Sequence, residues 1–225
     1  MTDLICTITF LSDWHCGTGA GASATLDAVV ARDTTGCPLV PGRTLRGILR
    51  DGVRQLAAHG HLKEPLQQSE LVLFGDEGFD MMKPTGDRHV RGTRPGRLQF
   101  TDACISADVT RHLATLLSGS KEQEQEAKRL RATLFRSIAM TAIGEHGTVK
   151  AKSLRMIEVA VPLTLTARIT LTPRPLTAHV RVDGEDMIEE GWPNILRDAA
   201  LFTDGIGSGR TRGLGRCRIE FGGLA

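Results

Sequence analysis

The chain has 225 residues, a formal net charge of +2, 40% hydrophobic and 4% aromatic residues, and no tyrosine. No run of about 18 apolar residues occurs, which excludes a membrane-spanning helix. A charge this close to neutral excludes capture of nucleic acid by bulk attraction, so a polyanion has to be held by local clusters.

Taken in order, residues 4–11 (Leu-Ile-Cys-Thr-Ile-Thr-Phe-Leu) alternate as a half-buried strand does, and no basic leader precedes them. A glycine-rich turn follows at 16–23, then Thr25-Leu-Asp-Ala-Val-Val-Ala-Arg-Asp33 and turn chemistry around a short strand at 34–42. The clearest helix is expected over 44–59, with Leu45, Ile48, Leu49, Val53 and Leu56 as its apolar stripe. Arg43, Arg46, Arg50 and Arg54 line another face, balanced only by Asp51, and the helix starts directly after Pro-Gly. Such a stripe reads either as a solvated face or, with the helix N-terminus, as an anion site.

Residues 75–97 read as an exposed loop insertion, 98–103 as a short strand, and 107–117 and 121–136 as helices, the second very polar. Residues 141–155 form a glycine-punctuated basic segment that includes Lys150 and Lys152. The strongest alternation runs over 158–172, a helix is expected at 192–202, and a last strand at 214–221. Strands and helices mixed without a βαβ repeat predict a single α+β domain with an antiparallel sheet. The five cysteines, at 6, 16, 37, 104 and 217, never form C-x-x-C, a pattern of reduced thiols in a cytoplasmic protein.

Between the last helix and strand, residues 205–216 hold five glycines, three arginines and a serine. Glycine lets a backbone turn several N–H groups toward one anion, and arginine adds fork-shaped donors. The G-x-G-x-G spacing followed by a strand is not a dinucleotide fingerprint, and no Gly-Lys-Ser/Thr marks a Walker loop. A plain glycine-rich hairpin is the alternative. Four basic or glycine-rich loops (15–23, 41–46, 144–155 and 205–216) sit at element ends, and one sheet collecting them would make a groove for a phosphodiester chain.

Several stretches together resemble a known family. Trp14-His-Cys-Gly-Thr-Gly19 looks like its opening motif. Pro41-Gly-Arg-Thr-Leu-Arg-Gly-Ile-Leu-Arg50 is similar to its first-helix segment, Leu73-Phe-Gly75 to a short downstream signature, and the closing glycine loop to its hallmark. The family is the RAMP (repeat-associated mysterious protein) superfamily of CRISPR systems, and the layout is most like the repeating backbone subunit of type III effector complexes.

That resemblance implies a modified ferredoxin-like or RRM-like palm with a β-hairpin thumb, placed at 141–157. It implies a subunit that stacks with copies of itself along a CRISPR guide RNA beside other effector subunits. Target single-stranded RNA would be cut with Mg²⁺ or another divalent metal.

The family's catalytic aspartate maps onto Asp27, the one expected metal-binding carboxylate, whose coordination RNA phosphates would complete. RNA-binding residues are expected at His15, Gly42, Arg43, Thr44, Arg46, Arg50, Lys150, Lys152, Gly207, Ser208, Gly209, Arg210 and Arg212. Ala28-Val29 departs from the family, which often has asparagine-proline after the aspartate. Two alternatives stay open: an RNA-binding scaffold with an inert Asp27, which then caps a turn or is a loop charge, and a guide-processing endoribonuclease using His15 as base. Asp33, beside Thr34-Thr-Gly36, reads as a turn former.

Overall fold

The computed structural model describes residues 3–17, 26–81, 90–144, 147–150, 153–173 and 183–223, with the backbone alone at 76–81 and 90–94. At its centre β1 (Asp3–Phe10) pairs with β7 (Thr164–Leu171) on one side and β8 (Cys217–Gly223) on the other; β4 (Leu98–Phe100) completes the order β4-β7-β1-β8. All three pairings are antiparallel. Helix α1 (Gly42–Ala58) lies between β1 and β4 in the chain, and α5 (Glu185–Ala200) between β7 and β8. Strand–helix–strand taken twice in this order is the ferredoxin-like plan.

Alternation explains the sheet's two faces. The register sets Leu4 opposite Ile169, Cys6 opposite Ala167 and Ile8 opposite Leu165, and all six are buried. They meet Leu45, Leu49 and Val53 of α1 and Ile188, Trp192 and Leu196 of α5 in one core. The reverse face carries Thr7, Thr9, Thr164 and Thr166, as an antiparallel sheet with one wet face does.

Three additions decorate this palm. Helix α2 (Ser69–Phe74) leads into β2 (Gly75–Met81) and β3 (Val90–Pro95), which pair antiparallel, so the expected loop insertion is built on a hairpin. Helices α3 (Ala107–Leu117) and α4 (Lys121–Ala132) pack on Cys37 in a small second core. Strands β5 (Phe135–Met140) and β6 (Arg155–Ala160) form an antiparallel ribbon that carries residues 141–154.

Two expectations change here. The polar helix stops at Ala132, and the chain passes into β5, which pairs along its whole length with β6. The single long strand at 158–172 is two: a break at 161–163 sends β6 to the ribbon and β7 to the palm. Trp14 fixes that joint. It exchanges backbone hydrogen bonds with Ala160 (2.9 and 2.8 Å), donates from Nε1 to the Val161 carbonyl at 3.0 Å, and stacks on Phe10 with centroids 4.3 Å apart.

Candidate nucleic-acid interface

The glycine loop hangs from the palm by a short closure. Ile206 N–H donates to Gly215 O at 2.9 Å, Gly215 N–H to Asp13 O at 2.8 Å, and Ser208 N–H to His15 O at 2.9 Å. Gly207 has φ +96°, and a Cβ there would lie 2.3 Å from His15 O. No L-side chain fits that approach. The loop is therefore pinned to the turn after β1, with Ser208, Arg210 and Arg212 exposed.

Asp27 comes to the same place by a different route. The stretch 26–32 runs beside β6, with Ala28 bridged in parallel to Ile157. Asp27 N–H donates to Met156 O, and Asp27 Oδ2 accepts from Met156 N–H, both at 2.9 Å. Glu158 secures the next residues: its backbone N–H donates to Ala28 O, and its buried carboxylate accepts from Val30 N–H at 3.0 Å and from Arg32. Asp27 itself is exposed, and its Oδ1 has no hydrogen-bond partner among the described residues.

These loops enclose a cleft of about 380 Å³ lined by His15, Gly17, Asp27, Ala28, Thr44, Gly207 and Ser208. Ser208 also lines a second cleft, of about 500 Å³, with Lys150, Ser153, Arg155 and Arg212. Thr44 also lines a third, of about 250 Å³, with Arg43, Gln55 and Arg210. Through the shared Thr44 and Ser208 the three follow one another as a band along the glycine loop, from the start of α1 past Asp27 to the base of the β5–β6 ribbon. Among the described residues its cations are Arg43, Lys150, Arg155, Arg210 and Arg212, and its one carboxylate besides Asp27 is Asp51.

A family model described as the RAMP superfamily matches residues 7–218. This chain belongs to the RAMP superfamily. The RAMP fold recurs in solved structures. One chain from the type III-B Cmr-beta complex in its apo state is similar, with a TM-score of 0.58 and 12% identity over 97% of this chain and 96% of that one. A chain of Cmr-beta bound to cognate target RNA has a TM-score of 0.58 and 11% identity, again over 97% and 96%. A chain of a type IV-B CRISPR complex has 0.53 and 13%, over 98% and 90%. No curated protein sequence matches.

Within this RAMP scaffold the expected RNA contacts separate into two groups. Arg43, Thr44, Lys150, Gly207, Ser208, Gly209, Arg210 and Arg212 line the band. Four others are engaged inside the chain. Arg46 donates to Phe74 O, and Arg50 donates to Glu70 at 2.7 Å and to Gly75 O at 3.2 Å. Arg54 also reaches Glu70, at 2.8 Å, so most of the basic stripe on α1 fastens α2 and the hairpin. The sequence reading missed Glu70 as the stripe's balancing acid because it is remote in the chain. Gly42 is buried and its N–H donates to Asp102 at 2.7 Å, which removes that helix-start donor from any anion.

His15 is the fourth: it borders the first cleft, but its side chain is engaged inward. Its ring is buried, and Nδ1 lies 2.6 Å from Glu158 O. A carbonyl only accepts, so Nδ1 carries the proton. A Cβ on Gly17 would stand 2.7 Å from Nε2, which shows how closely that backbone covers the ring's other nitrogen. His15 thus joins the opening turn, β6 and the glycine loop. Lys152 lies outside the described residues. Sequence reasoning did not single out Glu158; its only signal is an acid inside an apolar-alternating strand.

Asp27 suits one corner of a divalent site and no more. Among the described residues no three His, Cys, Asp or Glu side chains gather as a metal cluster. One unbonded carboxylate oxygen fits a hydrated hard cation whose other ligands are water and phosphate. The buried thiols play no part: burial pushes Cys6 and Cys16 up to about 12 and Cys217 to about 11, so they are inert core groups.

Proposed function

We propose that this RAMP protein is a guide-RNA-binding backbone subunit of a type III-like CRISPR effector complex, and that it cuts complementary target RNA at Asp27. In this reading copies of the chain repeat along the guide beside other effector subunits in the cytoplasm. The guide backbone follows the glycine loop. Arg43, Arg210 and Arg212 meet phosphates with their forked donors, and Thr44, the Ser208 hydroxyl and the amides of Gly207 and Gly209 supply neutral hydrogen bonds. Lys150 and Arg155 carry the strand onto the thumb.

The observation that carries the reading is the placing of an exposed aspartate, anchored at the thumb base, within the band of glycine-loop donors. Asp27 is oriented by Met156 N–H on Oδ2, which leaves Oδ1 available to orient a 2′-hydroxyl or a bound water. Mg²⁺ or another divalent ion, when bound, would supply charge stabilisation at the phosphate. An inert scaffold is the second reading, favoured by Asp27 being the single carboxylate among the described residues that line its cleft. Guide processing by His15 is disfavoured, because the buried ring is held to Glu158 O and covered at Gly17.

The test compares the wild-type complex, reconstituted with its guide, with Asp27→Asn and Asp27→Ala versions on labelled complementary RNA. The asparagine keeps an acceptor for Met156 N–H and removes only the charge. Evenly spaced products in Mg²⁺, absent in EDTA and in both variants, are expected. Tight target binding without products from the wild type would leave a scaffold, and cleavage by Asp27→Asn would remove Asp27 from the chemistry.

A further inference from the structure

The β5–β6 ribbon has two faces, and the glycine-loop band occupies one. The register puts Met140 opposite Arg155 and Ile138 opposite Ile157, and of these Met140, Arg155 and Ile157 line the thumb-side cleft. Glu158 opposite Ser137, and Phe135 opposite Ala160, point the other way, because successive residues of a strand alternate sides. On that reverse face lies a separate pocket of about 380 Å³, between the ribbon, the last turn of α4 and the turn at 33–37. Arg32, Lys128, Arg131, Phe135 and Glu158 line it.

The pocket holds more positive charge than the fold uses. Arg131 donates from Nη1 to Thr35 O at 3.0 Å, across Gly36, and its side chain makes no other hydrogen bond among the described residues. Its Nε is the one buried side-chain atom among them without a partner. Buried donors are nearly always paired, so this guanidinium is short of an acceptor. Among the described residues Lys128 pairs with Glu124 alone, at 2.5 Å, in a pair exposed on both sides, which water and salt weaken. Glu158 is committed to Arg32 and Val30 N–H. The Arg32 guanidinium lies 4.0 Å from the Phe135 ring centroid while its side chain stays 44% exposed. A planar cation backed by a ring and flanked by two further cations suits a phosphate attached to a flat base better than a lone carboxylate.

We infer that this pocket binds a backbone phosphate of the target RNA strand as that strand leaves Asp27. The inference rests on Asp27 facing the target, as proposed above. Arg32 lies five residues beyond Asp27 on the stretch that runs beside β6, at most about 16 Å away at strand rise. A strand passing over Asp27 at the ribbon's edge therefore meets this pocket within a few nucleotides, on the side away from the guide.

The experiment measures binding of labelled complementary RNA to guide-loaded complexes carrying Lys128→Gln with Arg131→Gln, and separately Lys128→Glu, across a salt series. Glutamine at 131 still donates to Thr35 O, and Lys128 is exposed, so the single variant guards against a folding defect. Loss of one phosphate contact weakens target binding about fivefold at 0.1 M salt and makes log K against log salt shallower by about 0.7. Guide retention and the number of copies per complex stay unchanged.

Wild-type affinity and slope in both variants would overturn the inference alone, while Asp27-dependent cutting by the wild type keeps the proposed function standing. Loss of guide, or of copies from the complex, would also overturn it, assigning the pocket to the guide or to a protein neighbour. A wild-type complex that binds no complementary RNA would remove both readings.

Discussion

Gly207→Ala tests whether the glycine loop is pinned or merely flexible. At φ +96° an L-residue costs about 1–2 kcal/mol in backbone strain. The new methyl would also stand 2.3 Å from His15 O, a backbone atom that cannot swing aside. Relieving that clash breaks the 2.9 Å bond from Ser208 N–H to the same oxygen, worth about 1 kcal/mol. The expected loss is about 3 kcal/mol, or about 6–12 °C in Tm for a chain of this size.

Gly213→Ala is the control, with φ +84° and nothing within 4 Å of its Cβ, for an expected loss of about 1 kcal/mol. Alanine stiffens the unfolded chain equally in both, so the difference between them isolates the His15 contact. Urea unfolding gives the stabilities, and filter binding of guide RNA on the same samples reports the loop's shape. Gly207→Ala should lose guide and Gly213→Ala should keep it. Equal stability losses in the two variants would refute the pinning argument.

Other outcomes follow from the same contacts. Arg43→Gln should weaken guide binding and flatten its salt slope by about 0.7, whereas Arg50→Gln should lower stability by about 1–3 kcal/mol and leave that slope alone. Glu158→Gln keeps an acceptor for Val30 but releases Arg32, so target cleavage should fall while guide retention holds; a melting curve checks the fold. Stability should drop as pH rises above about 9. Folding raises Cys6 and Cys16 to about 12 and Cys217 to about 11, so the unfolded chain loses these protons first, and the contribution is lost between the unfolded value near 9 and the folded ones. Urea midpoints at pH 7, 9 and 10.5 measure it, and Cys16→Ala should soften the decline.

What the sequence made legible was whatever it wrote as local period. The alternation of β1, the apolar stripe of α1 and the span of α3 were all readable in place. The 158–172 run was legible as strand and illegible as two strands, because alternation does not record a change of partner at 161–163. The hairpin β2–β3 hid in glycine-rich polar sequence whose two strands pair with each other. At the site, loops at element ends pointed to the band. The division of the α1 arginines did not, since Glu70 and the Phe74 carbonyl reach them only through tertiary packing. His15 likewise looked chemically available until the approach of Gly17 and the Glu158 carbonyl closed its ring in.

The break at 161–163 has a mechanical meaning. Because Trp14 bonds Ala160 on both sides and Val161 through its ring, the ribbon meets the palm through a clamped joint and not a hinge. Asp27 is bonded to the same ribbon at Met156, four residues from that clamp. Asp27 therefore takes its position from a strand that is itself fixed at its root, so the carboxylate is set relative to the palm by two backbone attachments and not by the reach of a free loop.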